Sequence, residues 1–381
     1  MAWEFATAGR LLFGAGVRGQ LAEAVRAYGR RPLLVAGRGA IARGQIPEIA
    51  EAARVVVEGE PTLDSVRAAA GVFRRERCDL VVGIGGGSVL DTAKAAAALA
   101  ANSGEPLDYL EVIGRGRPLE SLPAPCIAVP TTAGSGSEVT RNAVLGSPEH
   151  GVKTSLRHPS MLPRLALVDP ELTLTVPSPV TVTTGLDALT QLIEPYVSVR
   201  ANPLTDALCL DGISRIARAL PVAASPDGAG DLDVRTDMSL GSLFGGLALA
   251  NAGLGVVHGF AAPLGAMFGA PHAAVCAALL PHGMAANLRA LRARAAGHPA
   301  VDRYRRIAIA LTGDAAASPE DGVTAAASLC RRLGVPGLHA HGVGADDAGE
   351  VCRRAVQASS MKANPIELSA GELRETLLAA L

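Results

Sequence analysis

The chain has 381 residues, 49% of them hydrophobic, and its formal net charge is -1. This length exceeds what one ordinary core needs and predicts two domains. The near-neutral charge argues against nucleic acid or an anionic membrane surface as a partner. The first residues contain no cationic stretch followed by an apolar run, so we expect no signal peptide.

The six cysteines are scattered and form no CxxC pair. This spacing disfavours a disulfide framework or a zinc ribbon and predicts reduced thiols in a cytoplasmic protein. They are Cys78, Cys126, Cys209, Cys276, Cys330 and Cys352.

The first half of the chain alternates short apolar runs with helical periodicity. This alternation predicts parallel βαβ units, with helices on both faces of a parallel sheet. The expected strands are 31–36, 53–57, 78–84, 126–129 and 165–168, and the expected helices are 46–54, 63–75 and 89–101.

After residue 179 the pattern becomes entirely helical. We place the boundary at Pro177 and Pro179, which gives an α/β domain over 1–178 and an all-α domain over 179–381. The expected helices are 183–199, 203–220, 237–251, 273–294, 302–310, 321–333 and 345–358.

Residues 238–288 contain no Asp, Glu, Lys or Arg, which raises the alternative of a membrane span. Prolines, glycines, histidines and an asparagine interrupt the stretch, however. Buried helices around a site explain this composition better, and we expect no membrane partner.

The strongest local motif is an apolar strand that runs into Gly85, Gly86, Gly87 and Ser88 and then into a helix containing Asp91. Glycines allow close backbone approach, and a helix start offers free N–H groups to phosphate. A purely structural alternative has Ser88 as N-cap and Asp91 as its capping-box partner. Three consecutive glycines exceed what a cap needs, so we favour a phosphate site.

A second polar loop follows the next apolar strand. Because parallel strands end at one edge of a sheet, its side chains are expected to line the same crevice. The candidate cofactor contacts in this loop are Thr131, Thr132, Ser135 and Ser137.

In the helical half, Asp187 and Gln191 lie four positions apart on one helix face, and His258 and His272 lie in the charge-free stretch. On one straight helix the histidines would be about 21 Å apart, but Pro263 and Pro271 disfavour such a helix. The spacing leaves two alternatives open: a divalent metal site or satisfied core histidines.

Taken together, these segments resemble the iron-containing (group III) alcohol dehydrogenase family, which includes maleylacetate reductases and is related to glycerol dehydrogenases and dehydroquinate synthases. The matching pieces run in the family's order over nearly the whole chain. They are GGGS at 85–88 with Asp91 and Lys94, TTAGSGSE at 131–138, VDPELT at 168–173, GLDALTQLIEPYVS at 185–198, VHGFAAPLGAMFGAPH at 257–272, and Asn364 with Pro365.

The resemblance implies a nucleotide-binding α/β domain and a helical domain that holds Fe²⁺ or Zn²⁺. It assigns Asp187, His258 and His272 as metal ligands and catalytic residues. A family histidine ligand is replaced here by Gln191, which becomes a weak or absent fourth ligand. A family proton-relay histidine is replaced by Ala262.

The implied reaction is hydride transfer between a nicotinamide cofactor and a small alcohol, aldehyde or ketone, with the metal polarising the substrate oxygen. Gly37 stands where an acidic residue often selects NAD, and Arg38 could pair with a 2′-phosphate, so NADP is favoured over NAD. Lys153, one of only three lysines, matches a family lysine near the cofactor and is assigned a catalytic role.

Three alternatives stay open at this point. The chain could be a metal-free enzyme like maleylacetate reductases, a lyase or cyclase like dehydroquinate synthases, or a nucleotide-binding sensor without activity. We expect a cytoplasmic homo-oligomer, specifically a homodimer, whose partner is a small-molecule substrate.

Overall fold

The computed structural model describes residues 2–46, 49, 52–111 and 113–381. It contains two compact units. One is Ala6–Val176, and the other is Pro177–Leu381 together with residues 2–5. In the chain, the units join beside the prolines at positions 177 and 179.

The first unit is built on a six-stranded sheet in which every neighbouring pair is parallel. The strands are β1 (Leu11–Phe13), β2 (Pro32–Gly37), β3 (Ala53–Val57), β4 (Leu80–Gly85), β5 (Cys126–Pro130) and β8 (Leu165–Val168), in the order β1-β8-β5-β4-β2-β3. A separate antiparallel hairpin joins β6 (Asn142–Ser147) and β7 (Val152–Arg157).

Helices of this unit follow its strands. They are α1 (Leu21–Tyr28), α2 (Arg38–Ala42), α3 (Leu63–Arg75), α4 (Gly87–Ala101) and α5 (Pro106–Tyr109). The apolar strands are buried on both faces, because alternate residues enter different cores. In β2, Leu34 packs with Leu21 of α1, whereas Leu33 packs with Phe73 of α3 and Ala93 of α4.

The predicted parallel sheet with helices on both faces is confirmed, and each predicted strand is present within two residues of its expected bounds. The helix expected over 46–54 is partly wrong, because Ala53 and Arg54 begin β3. Residues 47, 48, 50 and 51 of that helix lie outside the described residues. The elements β1, α1, α2 and α5 and the β6–β7 hairpin were not predicted from the sequence.

All regular secondary structure in the described part of the second unit is helical. Its helices are α6 (Ser178–Val197), α7 (Pro203–Ala223), α8 (Leu232–Ala252), α9 (Val256–Phe268), α10 (His272–Arg294), α11 (Pro299–Thr312), α12 (Pro319–Arg332), α13 (Ala348–Gln357) and α14 (Ala370–Ala379). The predicted all-α character is confirmed. Helix α9 was not predicted, because its Pro263 and glycines resemble loop residues, although the helix tolerates Pro263 in its interior.

The charge-free stretch forms parts of α8, α9 and α10, whose side chains are largely buried. Among the described residues, no single helix is long and apolar enough to cross a membrane. Within the described part of the chain, one helix pair, α8 and α9, bent by 97°, passes the length and composition test when taken together.

Candidate active site

In the first unit, the strand order reverses between β2 and β4, because β2 is followed in sequence by β3 on one side and has β4 on the other. Ligands of open parallel sheets bind at such a switch point, beyond the carboxyl ends of the strands. Gly37 and Arg38 follow β2 there, and Gly86 follows β4. Val89 of α4 lies beneath both turns, since a Cβ at Gly37 or at Gly85 would meet its side chain.

The turn after β4 leaves the start of α4 free of side-chain caps. Gly86 is the N-cap, with no side-chain hydrogen bond to the helix. Ser88 is the second residue inside α4, so the alternative in which Ser88 caps the helix is wrong. The half-buried N-terminus of this 15-residue helix therefore keeps the backbone donors that suit a pyrophosphate.

The second polar loop reaches the same turn. The backbone N–H of Thr131 donates to the carbonyl of Gly85 over 2.9 Å. A Cβ at Gly86 would lie 3.2 Å from Oγ1 of Thr132, and one at Gly87 would lie 2.6 Å from Oγ of Ser135. The structure thus brings the glycine turn together with Thr131, Thr132 and Ser135, and leaves no room for larger side chains at Gly87.

Asp91, Ser137 and Lys94 form the support beneath this loop. Ser137 Oγ donates to Oδ1 of Asp91 over 2.5 Å, and the N–H of Val144 donates to Oδ2 over 2.8 Å. The buried Lys94 ammonium donates to the carbonyl of Ser137 and to Oγ1 of Thr140. These hydrogen bonds use the polar groups of the three side chains and indicate that they stabilise the conformation of the loop.

Two further candidates are ion-paired within the first unit. The exposed guanidinium of Arg38 pairs with Glu58, which follows β3. Lys153 of β7 pairs with Glu60, and 12% of its side chain is exposed. The Glu58 carboxylate therefore competes with a 2′-phosphate for the positive charge of Arg38. This competition was not expected from the sequence.

In the second unit, three helices bring four ligand-type side chains together. Asp187 lies on α6, His258 on α9, and His272 and Cys276 on α10. One ligand atom of each lies within 4.8 Å of every other. Because Gly269 ends α9 in the left-handed conformation (φ 65°) and Pro271 precedes α10, the chain turns there and the two imidazoles meet, with ring centroids 5.3 Å apart.

The four side chains present their polar atoms to one point. Oδ1 of Asp187 lies 3.4 Å from Nε2 of His258 and 3.8 Å from Nε2 of His272. The Cys276 sulfur lies 3.8 Å and 3.7 Å from the same two nitrogens. Bond lengths of about 2.0–2.3 Å place neighbouring ligand atoms of a tetrahedral zinc ion roughly 3.3–3.6 Å apart. The residues present therefore fit a divalent cation.

Their electrostatics favour positive charge at this point. Burial opposes protonation of His258, but the Cys276 sulfur, Asp187 and Glu194 outweigh burial and raise the pKa of His258 well above its usual range. The pKa of His272 is raised in the same way by Cys276 and Asp187. Burial raises the pKa of Asp187, yet the two histidines outweigh that effect and lower it. A bound cation satisfies the same demand without protons.

Glu194 fixes the orientation of His258. One carboxylate oxygen accepts from the N–H of Val257 over 2.7 Å, and the other lies 2.7 Å from Nδ1 of His258. This hydrogen bond places a ring proton on Nδ1, so Nε2, which faces Asp187, is the nitrogen available to a cation. Glu194 was not predicted as a site residue from the sequence, although it lies seven positions after Asp187 on the same helix.

Gln191 lies one turn after Asp187 on α6 and is also buried. Its Oε1 atom has no hydrogen-bond partner among the described residues. Oδ1 of Asp187 has only the contacts of 3.4 Å and 3.8 Å to the two imidazoles there, and neither has the geometry of a hydrogen bond. Buried acceptors without donors are rare and suggest a cation or water that binds them.

Cys276 is the member of the group that sequence reasoning missed as a site residue. The available signal was the spacing His272-x3-Cys276, which places both side chains on one helix face. Scattered cysteines gave no reason to examine this one.

Family models of known proteins match both units of the chain. The family model of iron-containing alcohol dehydrogenases matches residues 8–170. The C-terminal model of the Fe-containing alcohol dehydrogenase family matches residues 181–381. The chain belongs to the iron-containing alcohol dehydrogenase family.

Individual relatives differ in how much of the chain they match. Long-chain-alcohol dehydrogenase 1 of Geobacillus thermodenitrificans is 44% identical over 225 residues, 59% of this chain and 56% of that protein. The 4-hydroxybutyrate dehydrogenase of Cupriavidus necator is 36% identical and covers 91% of both chains. The crystal structure of a 1,3-propanediol oxidoreductase has a TM-score of 0.89 at 30% identity and covers both chains fully.

These findings confirm the predicted family, the predicted fold class and the prediction that the protein is a dehydrogenase. They also confirm the cofactor classes, a nicotinamide dinucleotide and a divalent metal.

Proposed function

We propose that this chain transfers hydride between NADP and a small alcohol or the corresponding aldehyde or ketone, assisted by Fe²⁺ or Zn²⁺. In this proposal residues 1–178 bind the dinucleotide, and residues 179–381 hold the metal and the substrate. The observation that carries it is the convergence of the ligand atoms of Asp187, His258 and His272 in a chain of the dehydrogenase family.

The proposed cofactor contacts lie at the switch point of the sheet. The N–H groups at Gly86, Gly87 and Ser88 bind the pyrophosphate, because no side chain caps α4. Hydroxyls of Thr131, Thr132, Ser135 and Ser137 line the adjoining loop, with Gly85 and Asp91 shaping the turn. Gly37 leaves room at the ribose, and Arg38 binds the 2′-phosphate once that phosphate displaces Glu58.

The proposed metal ligands lie in the second unit. The proposed catalytic residues are Asp187, His258 and His272 of that unit and Lys153 of the first unit. Asp187 supplies negative charge, while His258 and His272 supply neutral nitrogen ligands, and Gln191 supplies at most a weak amide oxygen. When bound, the metal acts as a Lewis acid that polarises the substrate oxygen. Glu194 keeps the Nε2 lone pair of His258 available by accepting its Nδ1 proton in a hydrogen bond.

The test is a panel of small alcohols, aldehydes and ketones, assayed in both directions with NAD and NADP. The protein is purified without chelator, analysed for metal, stripped, and reloaded with Fe²⁺ or Zn²⁺. We expect stoichiometric metal, lost activity after chelation, and recovery on reloading. Full activity without metal would support the maleylacetate reductase-like alternative, and cofactor recycling without net change would support a cyclase.

Variants separate the proposed ligands. Asp187→Ala should lower metal occupancy more than Gln191→Ala, because only the aspartate carries charge. Equal losses in the two variants would contradict the assigned ligand roles.

We further propose a cytoplasmic homodimer without nucleic-acid or membrane partners. All six cysteines are free, which suits a reducing compartment. Several apolar side chains, including Trp3, Val56 and Leu122, are exposed and offer surface for association. Light scattering on the purified protein tests the dimer, and a monomeric mass would contradict it.

A further inference from the structure

Cys276 occupies a place that its neighbours make unusual for a core thiol. It is fully buried among apolar residues such as Val275 and Leu279, yet its sulfur faces the Nε2 atoms of His258 and His272 rather than aliphatic carbon alone. By contrast, the buried Cys330 sulfur lies 3.6 Å from the carbonyl of Ala277, outside this group. The Cys276 sulfur therefore belongs to the polar cluster as well as to the core.

We propose that Cys276 is a metal ligand, binding as a thiolate together with Asp187, His258 and His272. This inference rests on the proposed function, because it concerns the same metal. It replaces Gln191 as the fourth protein ligand and gives the centre a sulfur donor.

Geometry supports this ligand set. The two sulfur–nitrogen distances, 3.7 Å and 3.8 Å, lie within a few tenths of the edge expected between sulfur and nitrogen around tetrahedral zinc, roughly 3.6 Å. Cys276 also lies one helical turn after His272, so both side chains leave α10 on the same face.

The charge of the ligand set also supports Cys276 as a ligand. Among Asp187, Gln191, His258 and His272, only the aspartate is anionic, so a buried divalent ion would keep one uncompensated positive charge in its ligand sphere. A thiolate at Cys276 supplies the second negative charge, which reduces the cost of burying the ion. Zinc displaces the thiol proton on binding, and that proton leaves to solvent.

The sulfur donor also changes the expected metal. Thiolate is a soft ligand and selects Zn²⁺ over Fe²⁺ more strongly than an imidazole or an amide does. We therefore expect this site to prefer Zn²⁺ over Fe²⁺.

Cobalt spectroscopy tests the ligand directly and without any activity assay. The metal-free full-length protein is loaded with one equivalent of Co²⁺ in the absence of oxygen. We expect an intense thiolate-to-cobalt charge-transfer band in the near ultraviolet, proportional to bound cobalt. Cys276→Ser should abolish the band, whereas the matched control Cys330→Ser should keep it.

Metal competition gives a second readout. Cys276→Ser should lower zinc affinity at least roughly 10–100-fold, the loss seen even for groups that only support a ligand, and should narrow the preference for Zn²⁺ over Fe²⁺. Gln191→Ala should keep the charge-transfer band and bind zinc within a few-fold of the unmodified protein. These comparisons need no catalysis.

Several results would overturn the proposal. They are failure to bind cobalt, a bound cobalt spectrum without a thiolate band, a band that survives Cys276→Ser, or one that disappears in Cys330→Ser. If Cys276→Ser does not fold, the spectrum of the unmodified protein and of Gln191→Ala still decides. Cobalt bound through nitrogen and oxygen alone, in an enzyme that loses activity on chelation, would remove Cys276 and leave the proposed function standing.

Discussion

Nδ1 of His258 lies 2.7 Å from a carboxylate oxygen of Glu194, while Nε2 of the same ring lies 3.4 Å from Oδ1 of Asp187. One imidazole thus connects a supporting carboxylate to the candidate metal centre. The side chains of Glu194 and Asp187 are both at least 95% buried, so solvent screens their interactions with His258 only weakly.

This relationship predicts that Glu194→Ala lowers metal affinity by about 10–100-fold, because the His258 ring loses the partner that fixes its tautomer. Glu194→Gln should lower affinity less, since the amide oxygen can still accept from Nδ1. Calorimetric zinc titration measures both. Glu320→Gln, which removes an exposed carboxylate on α12, is the control. An unchanged affinity in folded Glu194→Ala would show that Glu194 does not position the ring.

The glycine turn after β4 gives a second prediction. Gly86→Val should weaken dinucleotide binding by at least about 10-fold, because a side chain there meets Thr132 and covers the start of α4. Cofactor fluorescence titration measures the affinity. Gly71→Val is matched, since a Cβ at Gly71 on α3 meets nothing within 4 Å. Equal binding by the two variants would remove the pyrophosphate from this turn.

Cofactor preference depends on the Arg38–Glu58 pair. The pair is exposed and contributes at most about 1 kcal/mol, so a 2′-phosphate can displace Glu58 from Arg38. Arg38→Ala should lower the ratio of kcat/KM for NADP to that for NAD by about 10-fold, whereas Glu58→Gln should raise it. Arg43→Ala, in the same segment, should leave the ratio unchanged. A ratio that does not respond to Arg38→Ala would contradict the NADP preference.

Glu138 predicts a pH dependence of stability. Burial raises its pKa from 4.5 to about 7, although its own backbone N–H and Lys94 partly offset the effect. Between these pH values the folded chain binds more protons than the unfolded chain, so the free energy of unfolding falls as pH rises. The full shift corresponds to about 3 kcal/mol, and the loss is complete above about pH 7.

Glu138→Gln should therefore remove this slope and be more stable than the unmodified protein at pH 8, but not at pH 4.5. Urea unfolding at several pH values provides the measurement, with exposed Glu149→Gln as the control. Parallel pH profiles for all three proteins would show that Glu138 is ionised throughout the range.

Lys153 is proposed as a catalytic residue, and its pairing with Glu60 allows a structural role to be separated from a chemical one. Lys153→Arg preserves the charge and the ion pair but replaces the compact ammonium with a planar guanidinium. We expect kcat to fall at least about 10-fold with an unchanged melting temperature. Full activity in this variant would reduce Lys153 to an ion-pair partner.

Strands buried on both faces were the most predictable elements, because continuous apolar runs such as 80–84 are typical of strands that helices cover on both sides. The bounds of α3 and β8 were predicted to the residue. Helix α9 was missed, because Pro263 is compatible with a helix only where neighbouring packing compensates, and packing is not visible in a sequence. The hairpin β6–β7 was missed because its strands mix polar and apolar residues at an uneven period.

The candidate site was predictable only where its residues stand in local sequence motifs. Asp187, His258 and His272 stand in recognisable motifs, and the turn at Pro271 explained how two distant histidines could meet. Glu194 and Cys276 act through contacts between helices, which depend on how α6, α9 and α10 pack. Their helical spacing from Asp187 and His272 places them on the same helix faces, but only the fold shows that those faces meet at His258.

The parallel pairing of β1 with β8 has a consequence for the growing polypeptide. Gly16, just after β1, is held by Asp169, 153 positions later. At about 5–20 residues per second, the three-residue β1 waits roughly 10–30 s on the ribosome before its partner is made. Until then the edge of β5 is unpaired and open to association with other chains. Nascent chains that stop before Leu165 should therefore depend more on chaperones than longer chains, in which β8 can pair with both β1 and β5.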